Sequence, residues 1–286
     1  MRPRDWIPWR PGRPGRFELG TRVIAHRGAA AYAPENTLAG LCVAYLLRAR
    51  WVEFDVKLSR DGIPVLFHDE KLERTTSGRG ELRDHDLAQL LTLDAGSWLH
   101  EAYSGEGVPT MEAAVRLALT LGLETNIEIK PSPGREAETA EAVIELLDRI
   151  WPKERPAPLI SSFYPKVLEV VRDRAPVLPR AFLSFTVPAN WAEIMVELDC
   201  VALHLKETSL DEDTLAAFRE QQVPVVAFTV NDPERARWLV ERGVRAIVTD
   251  RPDRIAEAVG ELQYRRSNPT NLPWIFTWCG PKMRVS

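Results

Sequence analysis

The chain has 286 residues, 45% of them hydrophobic and 27% charged, with a formal net charge of −4. Such a chain forms one large globular domain or two small ones, and its acidic balance gives no general reason to expect nucleic acid as a partner. No apolar run approaches a membrane span, which excludes a transmembrane segment.

The first apolar stretch is not a signal-peptide core, because Pro, Arg and Gly interrupt it every few residues. The three cysteines, Cys42, Cys200 and Cys279, are far apart and form no CxxC motif. A reducing, cytoplasmic setting is the expectation.

Residues 1–20 hold four prolines, five arginines and two tryptophans. They read as an extended arm, because Pro at that density forbids a regular helix. Trp6 or Trp9 tucked against the domain is the simpler expectation; contact with a membrane surface is the other. Residues 22–26 form a short apolar strand ending in His26-Arg27-Gly28, and Pro34 opens a helix carrying Leu38, Leu41, Cys42, Tyr45 and Leu46 at helical spacing.

The stretch 51–69, WVEFDVKLSRDGIPVLFHD, then alternates as a strand, with Glu53, Asp55 and Lys57 on one face. Asp61-Gly62 is a two-residue hairpin signal that pairs Arg60 with Ile63 and brings Asp55 opposite His68. A one-residue change in turn position sets His68 opposite Glu53 or Val56 instead. Residues 70–109 form a polar, Gly-containing insertion long enough to have small elements of its own.

From residue 110, helix and strand alternate. Helical patterns cover 111–121, 136–150, 165–174, 190–198, 211–221, 233–242 and 252–260. Strand runs lie at 124–130, 159–162, 177–183, 200–204, 224–230 and 246–249. The link from Asp55 to Ile63 is too short for a parallel crossover, so 63–68 is a hairpin arm and not a strand of the main sheet. Eight strands remain, each followed by a helix. That count predicts a TIM (β/α)8 barrel with a β-hairpin extension of strand 2 and an insertion before helix 2. A doubly wound open sheet is the alternative, but no GxGxxG or P-loop opens a helix.

Catalytic groups of such a barrel sit at the C-terminal ends of its strands. Here those ends supply His26 and Arg27, then Glu53 and Asp55, then Glu128 and Lys130, while the hairpin returns His68 to the same mouth. Three carboxylates in one mouth repel one another and call for a cation. Oxygen-only ligands select a hard divalent ion such as Mg²⁺ or Ca²⁺. The alternative is a structural layer in which Arg27, Lys57 and Lys130 neutralise the acids. His26 and His68 suit a general base and a general acid, whereas His85, His100 and His204 are expected to be hydrogen-bonded core residues. Arg27 and Lys130 add the donors that a phosphoryl group needs. Phe228, with Trp98 as a further candidate, is expected either to supply an apolar wall for a substrate's organic group or to be ordinary packing. No Gly-x-Ser-x-Gly elbow is present.

These residues resemble the glycerophosphodiester phosphodiesterase family, closest to the short cytoplasmic bacterial enzymes. The matching motifs are His26-Arg27-Gly28, Pro34-Glu35-Asn36-Thr37, Glu53-Phe54-Asp55 with Asp61-Gly62, and His68-Asp69. They continue with 72–78 (LERTTSG), 94–98 (DAGSW), 126–130 (NIEIK), Ser161-Ser162-Phe163 and Thr229-Val230-Asn231. The resemblance covers roughly residues 20–260. It implies a TIM barrel at 21–260, flanked by the arm and by a 261–286 tail with Trp274, Phe276 and Trp278. It also implies metal-dependent hydrolysis of a small glycerophosphodiester to glycerol 3-phosphate and an alcohol. Carried over by position, Glu53, Asp55 and Glu128 are the metal ligands, and His26 and His68 the acid/base pair. Arg27 and Lys130 contact phosphate, and Phe228 stands where the family often has Trp or Tyr. The alternatives are a lysophospholipase D or phosphoinositide-type lipase, with the termini meeting a membrane, and a non-catalytic phosphoester-binding barrel.

Overall fold

The computed structural model describes residues 19–261. The expectations for the N-terminal arm and for Trp274, Phe276 and Trp278 therefore fall outside the described residues. Eight parallel strands close on themselves. In barrel order they are β1 (Val23–Ala25), β2 (Trp51–Leu58), β4 (Glu124–Ile129), β5 (Leu159–Ser162), β6 (Arg180–Ser184), β7 (Ala202–Lys206), β8 (Val225–Phe228) and β9 (Ala246–Thr249), with β1 pairing both β9 and β2. Strand β3 (Pro64–Leu66) is the antiparallel return arm on β2. The helices between strands pack outside the barrel, with α1 (Leu38–Leu46), α3 (Met111–Leu121), α4 (Glu136–Ile150) and α5 (Pro165–Arg174) sharing one core cluster with the outer faces of β2 and β4. None of the described helices is long and apolar enough to cross a membrane.

Sequence explains the elements locally. Helix α3 is capped by Thr110, whose side chain accepts from the Ala113 amide, and ends at Gly122 in the left-handed region. Helix α4 buries Ala140, Val143, Ile144 and Leu147 along one stripe. Every residue of β2 is buried, as a strand packed on both faces requires. Helix α1 starts later than its Pro34 signal suggests. Thr37 is its N-cap, accepting from the Gly40 amide, so Glu35 and Asn36 stay in the loop, Asn36 with a positive φ of 56°.

The hairpin register also differs from expectation. Val56 pairs with Leu66 and Leu58 with Pro64, so Phe67, whose amide donates to the Asp55 carbonyl, takes the place expected for His68. The loop has three residues, not two. The Ser59 amide donates to the Ile63 carbonyl and Gly62 holds φ +80°, a conformation that favours glycine. The ladder stops at Leu66, and His68 follows as coil. The insertion forms short helical turns at 82–84, 87–90 and 101–103 over its own small core of Leu72, Leu82, Leu90, Ala95 and Val108.

Side chains fill the barrel axis in layers contributed by alternate strands. Stepping one residue forward per strand, as strand tilt requires, the observed register assigns the layers. The lowest holds Trp51, Leu159, Ala202 and Ala246. Above it come Ile24, Asn126, Ala181 and Val226, then Glu53, Ser161, His204 and Val248. His26, Glu128, Leu183 and Phe228 form the mouth. The interior thus passes from apolar to polar along the axis.

Candidate active site

The mouth is shaped by the turn after β1. Arg27 and Gly28 both hold positive φ, 49° and 91°. A Cβ on Gly28 would lie 2.6 Å from the backbone carbon of Gly40, so glycine is required where this turn meets α1. The turn aims the Arg27 amide at Glu53 Oε2, 2.9 Å away, and the Gly28 amide at the Glu53 carbonyl, 3.1 Å away. The Arg27 guanidinium donates to Glu35 Oε1 at 2.7 Å. Its Nε lies 3.1 Å from Asp55 Oδ2, close enough for charge but without hydrogen-bond alignment.

Glu53, Asp55 and Glu128 converge here, each buried, with one ligand oxygen apiece within 4.8 Å of the others. Asn36 fixes Asp55 from both sides, donating its amide to Oδ2 at 2.8 Å and accepting from the Asp55 backbone at 3.0 Å. Lys130 Nζ lies 3.3 Å from Glu128 and 3.9 Å from Asp55. Burial raises the Glu53 carboxyl far above the ordinary range, and the charges of Asp55 and Glu128 raise it further. Burial likewise dominates at Glu128, where Lys130 only partly offsets it. At Asp55 burial acts upward too, but Arg27, Lys130, His68 and the Asn36 hydrogen bond outweigh it and hold the group at about 2.

The purely structural alternative loses one of its three cations. Lys57 Nζ is 2.5 Å from Glu70 and serves that carboxylate instead. Of those three cations Arg27 and Lys130 remain beside the trio, one fewer than its carboxylates, and Glu53 Oε1 is buried with no hydrogen-bond partner among the described residues. Three convergent oxygens with an uncompensated charge fit a hard divalent cation.

Both histidines reach this centre, and each is held by an aspartate. His26 Nδ1 is 2.6 Å from Asp250 Oδ1, and its Nε2 is 3.9 Å from Glu53. Asp250 is held in turn by Asn231, which donates to Oδ2 at 2.6 Å and accepts from the Asp250 amide and Thr249 Oγ1. His68 Nδ1 is 2.5 Å from Asp69 Oδ1. Arg74 joins Asp69 to Glu35, and Glu35 joins Arg27, so a chain of charge pairs runs from His68 to the acidic trio. An Nδ1–H donated to carboxylate leaves Nε2 of each ring as the working nitrogen. Burial lowers the His68 pKa below its ordinary value, partly offset by Asp55. An open cleft of about 370 Å³ is lined by His26, Arg27, Glu35, Asn231 and Asp250.

Phe228 stands beside the mouth with company. Its ring packs edge-on to Phe163 at 5.7 Å and Phe185 at 6.1 Å, and Phe163 stacks on Phe185 at 4.6 Å. Phe185 is 61% exposed. Lys130 and Lys206 lie over the Phe163 and Phe185 rings, 5.5 and 5.9 Å from their centroids. Trp98 sits in the insertion, half-exposed, donating to the Ala95 carbonyl.

Sequence reading brought His26, Arg27, Glu53, Asp55, His68, Glu128 and Lys130 to one mouth, and they are there. It overlooked Asp250, which a strand-end reading of β9 would have found, and Phe185 at the end of β6. Glu35, Asn36, Asp69, Arg74 and Asn231 lay inside or beside recognised motifs without a role. Of the histidines set aside, His85 is hydrogen-bonded to the Glu81 carbonyl. His100 is exposed and caps a turn, so it is not a core residue. His204 is fully buried, yet neither ring nitrogen has a partner among the described residues.

Residues 26–254 match the glycerophosphoryl diester phosphodiesterase family. A glycerophosphodiester phosphodiesterase of Caldanaerobacter subterraneus is 31% identical over 84% of this chain and 98% of its own length. One from Bacillus subtilis is 31% identical over 81% of this chain and 84% of its own. Among solved structures, an Oleispira antarctica phosphodiesterase in complex with the product sn-glycerol-3-phosphate is 40% identical, with a TM-score of 0.81 over 84% of this chain and 97% of that one. The alternation of eight strands and helices, the acidic trio and these likenesses agree: the chain is an enzyme, a phosphoric diester hydrolase of the glycerophosphoryl diester phosphodiesterase family.

Proposed function

We propose that the chain hydrolyses a small glycerol-linked phosphodiester to glycerol 3-phosphate and an alcohol, using a divalent cation and the two mouth histidines. The observation that carries this reading is the pairing of two aspartate-held imidazoles with a buried carboxylate trio whose Glu53 Oε1 is unanswered. Glycerol 3-phosphate in the Oleispira relative supports the product side.

Glu53, Asp55 and Glu128 would hold the cation, Mg²⁺ or Ca²⁺, which when bound neutralises phosphoryl charge as it builds up. Arg27 and Lys130 contact the phosphoryl oxygens and hold the diester against the centre. His26, through Nε2, takes the proton from the nucleophile, which is either water or the glycerol 2-hydroxyl. In the second case the new P–O bond closes a cyclic phosphate that water then opens. His68 gives its Nε2 proton to the alcohol oxygen as the bond from that oxygen to phosphorus breaks, in the step in which the nucleophile's P–O bond forms. Asp250 and Asp69 orient the two rings, and the Asp69 hydrogen bond favours the protonated form of His68.

Cys42 and Cys200 are buried in separate core clusters, which supports a reducing, cytoplasmic setting, and the proposed reaction itself would give the chain a place in glycerol and lipid metabolism. A metal-titrated assay over a panel of glycerophosphodiesters tests the reading. Activity that survives EDTA unchanged sinks its metal half, and wild-type turnover by H68A sinks its acid–base half.

One observation favours a second substrate class. The Phe163–Phe185–Phe228 cluster, with Phe185 largely in solvent, suits the apolar part of a lysolipid better than a small polar alcohol. Turnover of lysophosphatidylcholine above that of glycerophosphocholine would make the lipid the substrate, because the two share a head group and differ in the acyl chain. A non-catalytic barrel would have no use for the complete set of five acid–base and ligand side chains.

A further inference from the structure

The layer directly beneath the mouth is formed by Glu53, Ser161, His204 and Val248, and all four are buried. Glu53 Oε1, Ser161 Oγ and both ring nitrogens of His204 have no hydrogen-bond partner among the described residues. Asn126 Oδ1, one layer lower, is in the same condition. Folded interiors rarely leave one such atom unanswered, and here they gather on the barrel axis. His204 stands on β7, which faces β2 across the barrel with three strands between them on either side. Ala181, from the strand between those of Ser161 and His204, adds only a methyl group to the layer below.

The inventory of donors and acceptors decides what belongs there. Burial keeps His204 neutral, so it offers one N–H and one lone pair. Ser161 can both donate and accept, and the Glu53 and Asn126 oxygens accept. A second cation would leave the imidazole N–H unanswered, and His204 contributes no atom to the cluster of ligand oxygens that lie within 4.8 Å of one another. Water donates twice, accepts twice, and is stable in a buried site offering two to four polar partners.

We propose that this layer binds buried water bridging His204 and Ser161 to Glu53 Oε1, and that His204 is thereby a positioning residue for a metal ligand it does not touch. The second half rests on the divalent-cation reading of the trio; the first half does not. The water fixes the carboxylate from below while the Arg27 amide fixes Oε2 from the side. Such outer partners set the orientation of a ligand, and losing one typically weakens metal binding 10- to 100-fold.

The test is a crystal structure of the whole protein at a resolution that shows ordered water, with magnesium and calcium titrated by calorimetry. In the wild type, density is expected within hydrogen-bond distance of His204 and of Ser161 or Glu53. H204L should lose that density and bind the cation about tenfold more weakly, whereas H204Q, which still donates and accepts, should stay within about threefold of wild type. S161A covers the case in which H204L does not fold, and should displace the density and weaken binding about threefold or more. A dry layer, a direct bond from His204 to Ser161 or Glu53, or wild-type cation affinity in both H204L and S161A would overturn the proposal. The density requires neither turnover nor bound metal, so its absence is distinguishable from a failure of the phosphodiesterase reading.

Discussion

His26 Nδ1 and Asp250 Oδ1 lie 2.6 Å apart although 224 residues separate them, because closure of the barrel sets the end of β1 beside the end of β9. The Asp250 carboxylate accepts a hydrogen bond from Nδ1–H and leaves Nε2, 3.9 Å from Glu53, with the lone pair. D250N would offer an amide donor to Nδ1 and drive the ring proton to Nε2. We expect kcat to fall about a hundredfold or more, within the range for loss of acid–base catalysis. Metal affinity measured by calorimetry should stay within about threefold of wild type, since no trio oxygen is touched. Full activity in D250N would remove His26 from the proton-transfer scheme.

Asp69 allows the two histidine roles to be told apart. It favours the protonated form of His68, whose pKa burial otherwise holds below the ordinary value. A general acid works protonated, so its activity is lost as pH rises through its pKa. In D69N that pKa falls further. If His68 is the acid, the alkaline limb of kcat/KM moves to lower pH. If it is the base, the acidic limb moves to lower pH instead. Which limb moves in a pH–rate profile, the alkaline or the acidic, decides between them.

The eight β/α units were legible because helix and strand periodicities differ, and the hairpin because its link is too short for a crossover. Its register was not legible. A two-residue and a three-residue loop share the Asp61-Gly62 signal, and the choice rests on the Ser59–Ile63 hydrogen bond and the backbone angle at Gly62. Strand ends located the carboxylates and His26, since alternation fixes the face on which a residue points. The aspartates behind the rings escaped, because those contacts depend on closure and loop packing. So did the polar layer of Glu53, Ser161 and His204, which emerges only when register is carried round the whole barrel.

Glu53 separates a metal centre from a structural ion-pair layer by the sign of a stability change. Its carboxyl is buried beside two others, which raises its pKa and makes its charged form costly. In a metal site, E53Q should weaken cation binding at least tenfold while leaving the metal-free protein as stable or more so, with Tm up by about 2–4 °C for each kcal/mol of repulsion removed. In an ion-pair layer the same change removes one of the negative charges that balance Arg27 and Lys130, and lowers Tm. Thermal melts with and without EDTA, compared between E53Q and wild type, read both effects.

His204 should make the fold acid-sensitive in a defined window. Burial lowers its pKa from an ordinary 6.5 to about 3, because the charged ring cannot be solvated on the barrel axis. Between those values the unfolded chain binds a proton that the folded chain does not, so stability rises with pH. The contribution is complete above about pH 6.5 and is lost as pH falls toward about 3, at roughly 1.4 kcal/mol per pH unit at the steepest. Glu53, in the same layer, titrates too, so the comparison is made between wild type and H204L, both of which retain it. Denaturant unfolding at pH 7.5, 6.5, 5.5 and about 4.5 should give wild type the steeper loss, with the two curves parallel above about pH 6.5. Equal slopes below pH 6.5 would mean that His204 is protonated in the folded state, which a neutral imidazole sharing buried water does not allow.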